Sequence, residues 1–439
     1  MKRAFCILFV CVLLFVTAVS ASAFDYGCNV DTVSGSVYLE NLETGAVILD
    51  KYANKQMYPA STTKIMTYII TTENVQDLEN TKVAISADAL TGLDPESTVM
   101  GLSEHVGEEI SIKDLLYGMM LPSGNDAALV LANYVGNGIP GFVEMMNRKA
   151  VELGCENTHF ANPHGLHDTN HYTTALDMAK IAKCAMKQPM FMEITSTVNY
   201  TPAGFGNPLH NTNYMLDENY HRGEYYYPNV KGIKTGYTDE AGKCLVTTAE
   251  KDGFTYLCIA LGAAYSFADD INYAMKDTAR LYNWAYENLG VQTLYSPSDS
   301  LASVDVKYVR NGKTLSAVPE KDITAFLPNQ YDRSLIQTEI NCPEQVKAPV
   351  ARGDVLGTVK VRYDDLDLGE FNLVSPEDVV RDVSPVRAFV SEHFVLSVSL
   401  SAALLLIILL VIILIRVHVV RKRRRMNQRY SANNGRRYR

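Results

Sequence analysis

From Val395 to Ile415 the chain runs without a charged side chain, through Leu404-Leu405-Leu406-Ile407-Ile408-Leu409-Leu410, for about the 20 residues that a bilayer-spanning helix needs. Arg421-Lys422-Arg423-Arg424-Arg425 follows closely and is the basic flank expected on the cytoplasmic side of a membrane. The pattern predicts a transmembrane helix over 395–415, a cytoplasmic tail over 416–439, and everything upstream on the outer face. The other end of the chain agrees. Lys2 and Arg3 precede an apolar stretch from Ala4 to Val19 and then Ala21-Ser22-Ala23, the three parts of a secretory signal peptide over 1–23. The mature chain is expected to begin at Phe24.

Charge follows this division. The chain as a whole carries −9, but the leader and tail contain twelve basic residues and no acid, so the exported part holds 28 basic and 49 acidic residues, a net −21. Such a surface repels phosphate backbones and argues against nucleic acid as a partner. The basic tail suits anionic lipid headgroups of the membrane. Of eight cysteines, Cys6 and Cys11 lie in the leader; the remaining six, Cys28, Cys155, Cys184, Cys244, Cys258 and Cys342, are scattered without C-x-x-C spacing. They are expected to be buried free thiols, because a chain of this size builds its core without covalent staples.

Between leader and anchor, Ser36-Val37-Tyr38-Leu39 and Ala46-Val47-Ile48-Leu49 flank Glu43-Thr44-Gly45, which predicts a hairpin. Helical spacing follows from Ser61 through Ile65, Met66, Ile69 and Ile70 and continues to about residue 190, with Ser111-Ile112-Lys113-Asp114 as a capping box before Leu115–Leu121 and a further helix over Asp177–Met186. Strand character returns at Val230–Lys234, Leu245–Ala249 and Tyr256–Leu261, and a last helix is expected over Ile271–Glu287. Early and late strands separated by a helical block imply an α/β domain over 24–290: one antiparallel sheet, covered by helices, with a large helical insert. From 291 to 384 the runs Val304–Val309, Val355–Val361 and Phe371–Val374, with Asn311-Gly312 as a turn, predict a small all-β domain. Residues 385–394 connect it to the span. Arg352-Gly353-Asp354, although it matches an adhesion tripeptide, is read as a β-turn.

A serine hydroxyl needs a base before it can attack, and Ser61 and Lys64, three apart on a predicted helix, share a face. Lysine titrates near 10.4, so Lys64 can serve only if burial or a neighbouring cation keeps it neutral. At a helix start Ser61 also sits among unpaired N–H groups that favour an oxyanion. Downstream, Leu121-Pro122-Ser123-Gly124-Asn125-Asp126 forms a polar loop between helical runs; S-x-N also recurs at Ser431-Ala432-Asn433 in the tail, so the triplet by itself says little. Gly232-Ile233-Lys234-Thr235-Gly236-Tyr237-Thr238 places a lysine, a hydroxyl and a glycine on one β run, and the glycine admits close approach of another backbone or a ligand. Lys234 is a candidate for the second cation that depresses Lys64.

In that order S-x-x-K, S-x-N and K-T-G resemble the signature of penicillin-recognising serine enzymes, and the chain looks like a low-molecular-mass penicillin-binding protein of the serine-type D-alanyl-D-alanine carboxypeptidase kind. Met57-Tyr58-Pro59-Ala60, Phe160-Ala161-Asn162-Pro163-His164-Gly165-Leu166 and Gly232-Ile233 share the likeness, which extends over nearly all of the mature chain. The resemblance implies a β-lactamase/transpeptidase-like fold with a β domain and one C-terminal transmembrane helix. It implies Ser61 as acylated nucleophile, Lys64 as its general base, Ser123 as proton relay, and Asn125, Lys234, Thr235, Gly236 and Tyr237 as substrate-binding, with the N–H groups of Ser61 and Tyr237 as oxyanion hole. No cofactor and no metal are expected. The substrate implied is the D-Ala-D-Ala end of a peptidoglycan stem pentapeptide, and β-lactam antibiotics would acylate the same serine. The counterpart of a basic or histidine residue that the family carries near its site is left open among His164, His210, His221 and Arg222. A spanning anchor with a cytoplasmic tail departs from members whose anchor lies on the membrane.

Four other functions compete: a D,D-endopeptidase of the same family, a β-lactamase, a sensor that signals acylation without turnover, and a zinc enzyme built on His159, His164, His167 and His171. The last has four histidines in thirteen residues but lacks metal-ligand spacing such as H-E-x-x-H.

Overall fold

The computed structural model describes residues 24–265 and 270–434; the leader expected over 1–23, with Cys6 and Cys11, lies outside the described residues. The described chain divides into two compact units, 24–292 with Phe326–Tyr331, and Thr293–Ala325 with 332–434.

In the first unit the expected hairpin forms between β1 (Ser36–Asn41) and β2 (Val47–Lys51). Asn41 Oδ1 accepts from Thr44 N (2.9 Å) and Thr44 Oγ1 (2.8 Å), and Gly45 takes the left-handed conformation that closes the turn. Three late strands, β3 (Val230–Thr238), β4 (Gly242–Lys251) and β5 (Phe254–Ala263), complete an antiparallel sheet in the order β2-β1-β5-β4-β3. The register Val37↔Ala260 and Leu39↔Cys258 joins the first strand to the last. Period-two alternation directs successive side chains of Leu245-Val246 in β4 and of Tyr256–Leu261 in β5 to opposite faces, and both faces are buried. Val246, Leu257, Ile259 and Leu261 face one core with Ile65, Ile69 and Ile181, whereas Leu245, Ala249, Tyr256, Cys258 and Ala260 face another with Leu281, Tyr282 and Ala285. A sheet covered on both faces needs apolar side chains at every position.

The first of these cores is built by α1 (Lys64–Asn74), α2 (Ile112–Met120), α3 (Asn125–Gly136), α4 (Ile139–Glu152) and α5 (Ala175–Ala185), the second by α6 (Tyr273–Asn288). The Ser111 half of the capping box forms: Ser111 Oγ accepts from Asp114 N (3.0 Å) at the start of α2, while Asp114 Oδ2 accepts from the Ser111 hydroxyl (2.6 Å). One expectation is corrected. Ser61 does not open an α-helix. It lies in a 3-10 turn, Ala60–Thr63, and α1 begins at Lys64. Pro59 O accepts from both the N–H (3.2 Å) and the hydroxyl (2.7 Å) of Thr62, and Ala60 is held at φ 46°, so tight i→i+3 closure replaces the first α-helical turn.

The second unit contains β6 (Ala302–Lys307), β7 (Lys313–Pro319), β8 (Ile336–Asn341), β9 (Gln345–Lys347), β10 (Val355–Tyr363) and β11 (Leu366–Val374), paired in the order β8-β10-β11-β7-β6-β9. Arg352-Gly353-Asp354 is a turn, closed by Asp354 N donating to Ala351 O (3.1 Å). Helix α7 (Pro385–Glu392) then leads to α8 (Phe394–Asn434), whose Leu404–Ile415 side chains are exposed. Its 41 residues extend about 60 Å at 1.5 Å per residue, so the helix is long and apolar enough to cross a membrane and carries its axis on into the basic tail. The six cysteines from Cys28 to Cys342 are free thiols, but only Cys155, Cys244 and Cys258 are buried as expected; Cys28, Cys184 and Cys342 are half-buried.

Candidate active site

Lys64 is fully buried at the start of α1, and its Nζ lies 3.0 Å from Ser61 Oγ, 2.6 Å from Asn125 Oδ1 and 2.8 Å from His164 O. Two of these partners, an amide oxygen and a carbonyl, can only accept. A charged ammonium would donate to all three. A neutral amine has two N–H bonds for Asn125 and His164, which leaves its lone pair directed at the Ser61 hydroxyl.

Electrostatics favour the neutral form. Burial, then the charge of Lys234, hold Lys64 well below the ordinary lysine range, against an opposing pull from Asp126. Burial alone pushes Lys234 down to about 7. Its Nζ has no hydrogen-bond partner among the described residues, and neither has Ser123 Oγ, although both atoms are buried. Buried polar groups are nearly always paired, so two such atoms beside one cleft mark a place built for something else to fill. That cleft, of about 270 Å³, is lined by Ser61, Thr98, Ser123, Thr212, Tyr214, Thr235, Gly236, Tyr237, Lys243 and Asn272.

Each group is placed by its own backbone. Ser123, at φ 67°, sits in the loop between α2 and α3, and Gly124 after it admits no side chain, since a Cβ there would lie 2.7 Å from Gly118 O. Asn125 is the first residue of α3. The buried Asp126 carboxylate accepts from Met100 N (2.9 Å), Gly101 N (2.9 Å), Leu102 N (3.0 Å) and its own Ala127 N (2.9 Å), and so carries the segment with Thr98 over the cleft. Asp126→Ala orphans three loop N–H groups and is expected to lower unfolding stability by about 3 kcal/mol or more, read from the denaturant midpoint. A midpoint shift within 1 kcal/mol of the parent contradicts this assignment.

Gly236 and Gly165 close on the Ala60–Ser61 peptide from two sides. A Cβ at 236 would lie 3.0 Å from Ser61 N, and one at 165 would lie 3.0 Å from Ser61 N while overlapping Ala60 O. Asn162 Oδ1 shapes the second approach by accepting from Gly165 N (2.7 Å) and His164 N (3.3 Å). Thr235 Oγ1 is hydrogen-bonded to Thr212 Oγ1 (2.6 Å).

The structure therefore brings Ser61, Lys64, Ser123, Asn125, Lys234, Thr235, Gly236 and Tyr237 to one place. Of the basic residues left open, His164 contributes its carbonyl rather than its ring, which burial pushes down to about 3. Neither His210 nor Arg222 lines the cleft; His221 falls in the 3-10 turn Tyr220–Gly223. The cation that does line it is Lys243, which lies over the rings of Tyr237 (4.2 Å) and Tyr265 (3.9 Å). Only the ladder register Tyr237↔Lys243 reveals it, and a linear pattern holds no such signal. The four histidines diverge: His171 pairs with Thr63 Oγ1 (2.7 Å), His159 with Asn170 O (2.6 Å), and His167 packs on Tyr58.

Comparison with known proteins agrees with this geometry. Residues 22–265 match the family described as D-alanyl-D-alanine carboxypeptidase, and residues 291–381 match the penicillin-binding protein 5 C-terminal domain. The D-alanyl-D-alanine carboxypeptidase DacF of Bacillus subtilis is 31% identical over 390 residues, covering 86% of this chain and 95% of its own. DacA of Haemophilus influenzae is 28% identical, covering 86% and 93%. The crystal structure of penicillin binding protein 5 from Haemophilus influenzae superposes with a TM-score of 0.57 at 26% identity, covering 80% of this chain and 98% of that one. On sequence, on fold and on the arrangement around Ser61, the chain belongs to the D-alanyl-D-alanine carboxypeptidase family.

Proposed function

We propose that this protein is a penicillin-binding serine carboxypeptidase that removes the terminal D-alanine from peptidoglycan stem pentapeptides through an acyl-enzyme at Ser61. The observation that carries this reading is the Lys64 amine, whose two acceptor-only partners leave its lone pair facing Ser61 Oγ. Lys64 takes the hydroxyl proton as Oγ bonds to the carbonyl carbon of the scissile D-Ala-D-Ala amide, and the N–H groups of Ser61 and Tyr237 receive the oxyanion. The C–N bond then breaks, the proton passes by way of Ser123 to the leaving nitrogen, and D-alanine departs. Water hydrolyses the ester with Lys64 again as base. Lys234 and Thr235 hold the terminal carboxylate, Gly236 gives the peptide access to the strand, and Asn125 contacts the peptide while positioning Lys64. A β-lactam carries a carboxylate and a strained amide in the same relation, and acylates the same oxygen.

In this reading residues 1–23 export the chain, α8 spans the cell membrane once, the catalytic unit faces the wall and the arginine-rich tail lies in the cytoplasm, as the positive-inside bias requires. Incubating the full-length enzyme with an isolated stem pentapeptide, and separately with cross-linked wall, tests it by product analysis. Free D-alanine from the pentapeptide is expected. Cleavage of cross-bridges alone, or acylation with no D-alanine released, would replace the reading with an endopeptidase or a sensor respectively.

The paired lysines carry a pH signature. The rising limb of the acylation rate follows loss of a proton from Lys64, whose affinity for that proton is lowered in part by the Lys234 charge. In Lys234→Gln that charge is gone, Lys64 holds its proton more tightly, and the limb moves to higher pH. A limb that stays in place or moves to lower pH would show that Lys234 does not tune the base.

A further inference from the structure

The exported part of the chain is strongly acidic, yet one cavity of the second unit, close in sequence to the anchor, is lined mainly by arginines. A cavity of about 380 Å³ is lined by Arg310, Arg381, Asp382, Val383, Ser384 and Arg387. Asp382 is its one carboxylate, and that group accepts from Arg310 N (2.8 Å). Among the described residues none of the three guanidinium groups is within ion-pair distance of an acid. Arg381 lies over the Tyr308 ring (4.6 Å) and donates from Nε to Val383 O (3.1 Å). Arg310 and Arg387 are exposed.

The cavity and the anchor share one joint. Tyr308 O accepts from Asp382 N (3.3 Å) and Val383 N (3.2 Å), while Tyr308 OH donates to Glu392 Oε2 (2.6 Å) at the end of α7, and Lys347 Nζ donates to Glu392 Oε1 (3.0 Å). The residue that carries Arg381 on its ring therefore also holds the helix leading into α8. Val386, Phe389 and Val390 of α7 are exposed apolar side chains, continuous with Phe394, Val395 and Leu396 of the span. Arg387 lies seven positions before Phe394, a path of about 10 Å at helical rise, which keeps Arg387 and the cavity it lines within reach of the headgroups when Phe394 meets the hydrocarbon.

We propose that the cavity bounded by Arg310, Arg381 and Arg387 binds the phosphodiester headgroup of an anionic phospholipid in the leaflet that Phe394 enters, with α7 lying in the interface beside it. Guanidinium forks match phosphate oxygens in pairs. A net-positive cavity at this point also offsets the repulsion between an acidic domain and an anionic leaflet. The contact would fix the β domain relative to the membrane surface.

The test uses the full-length protein in dodecyl maltoside with dioctanoyl phosphatidylglycerol as probe, bound lipid being followed by native mass spectrometry. To silence the tail, all proteins carry Gln in place of Arg421, Lys422, Arg423, Arg424 and Arg425. In this background Arg310→Gln/Arg381→Gln/Arg387→Gln is expected to weaken phosphatidylglycerol binding on the order of tenfold or more with an unchanged melting temperature. Arg387→Gln alone, at an exposed position, is expected to weaken it severalfold. Equal retention by the triple variant, equal retention of dioctanoyl phosphatidylcholine, or displacement by inorganic phosphate as effective as by the lipid would each overturn the proposal, the last by assigning the cavity to free phosphate.

Discussion

Ser61→Ala is expected to abolish both covalent labelling by fluorescent penicillin and release of D-alanine from a stem pentapeptide, while the protein stays folded. Removing the attacking oxygen of a serine hydrolase costs on the order of 10⁶-fold in turnover, and Ser61 Oγ is the hydroxyl that Lys64 Nζ contacts. The fold has little to lose: Ser61 Oγ makes one side-chain hydrogen bond, to Lys64 (3.0 Å), and a single exchanged hydrogen bond is worth about 1 kcal/mol. Labelling that persists on the alanine variant would sink the assignment of the nucleophile. A melting temperature well below the parent's would mean that lost activity cannot be read as lost chemistry.

Gly165→Ala is expected to slow acylation by at least about 100-fold without touching any group that reacts. The added Cβ would overlap Ala60 O and the Ala60 carbonyl carbon, both backbone atoms that cannot rotate away, and Gly165 sits at φ 94°, where a side chain is strained in any case. The displaced peptide is the one that carries Ser61 N, and the loop pushed back is the one whose His164 O holds Lys64. The proposed nucleophile, oxyanion donor and base therefore shift together, and a misplacement of about 1 Å costs about 100-fold in rate. Gly154→Ala separates the two causes, because Gly154 is also left-handed, at φ 70°, but faces open space. It should lose stability and keep its rate. A Gly165→Ala enzyme that acylates within a few-fold of the parent would show that the close approach has no part in catalysis.

Much of the scaffold was legible because it is local. The Glu43-Thr44-Gly45 turn, the Ser111 cap and the strand character of Leu245–Ala249 and Tyr256–Leu261 are written in side chains only a few residues apart. Ser61 and Lys64 belong to this class, since a helical turn or a 3-10 turn alike brings positions three apart onto one face. The turn itself departs from the α-helix start that the spacing predicts, because the pull of Pro59 O on Thr62 and the left-handed Ala60 leave no periodic trace.

Readable along the chain were the residues proposed to react, the order of an α/β part before an all-β part, and the apolar C-terminal run, all set by residue type, short spacing or run length. Tertiary structure alone decided whether that chemistry could operate. Lys64 and Lys234 are 170 positions apart, and only the packing of the 60–63 turn against the Val230–Thr238 strand, with α3 and the His164 loop closing over Lys64, buries both so that each lysine's charge becomes costly. The same packing delivers the carbonyl of His164, presses Gly165 and Gly236 against Ser61, and turns Lys243 into the cleft across from Tyr237. Burial and desolvation depend on everything that surrounds a group, and no pattern along the chain encodes them locally.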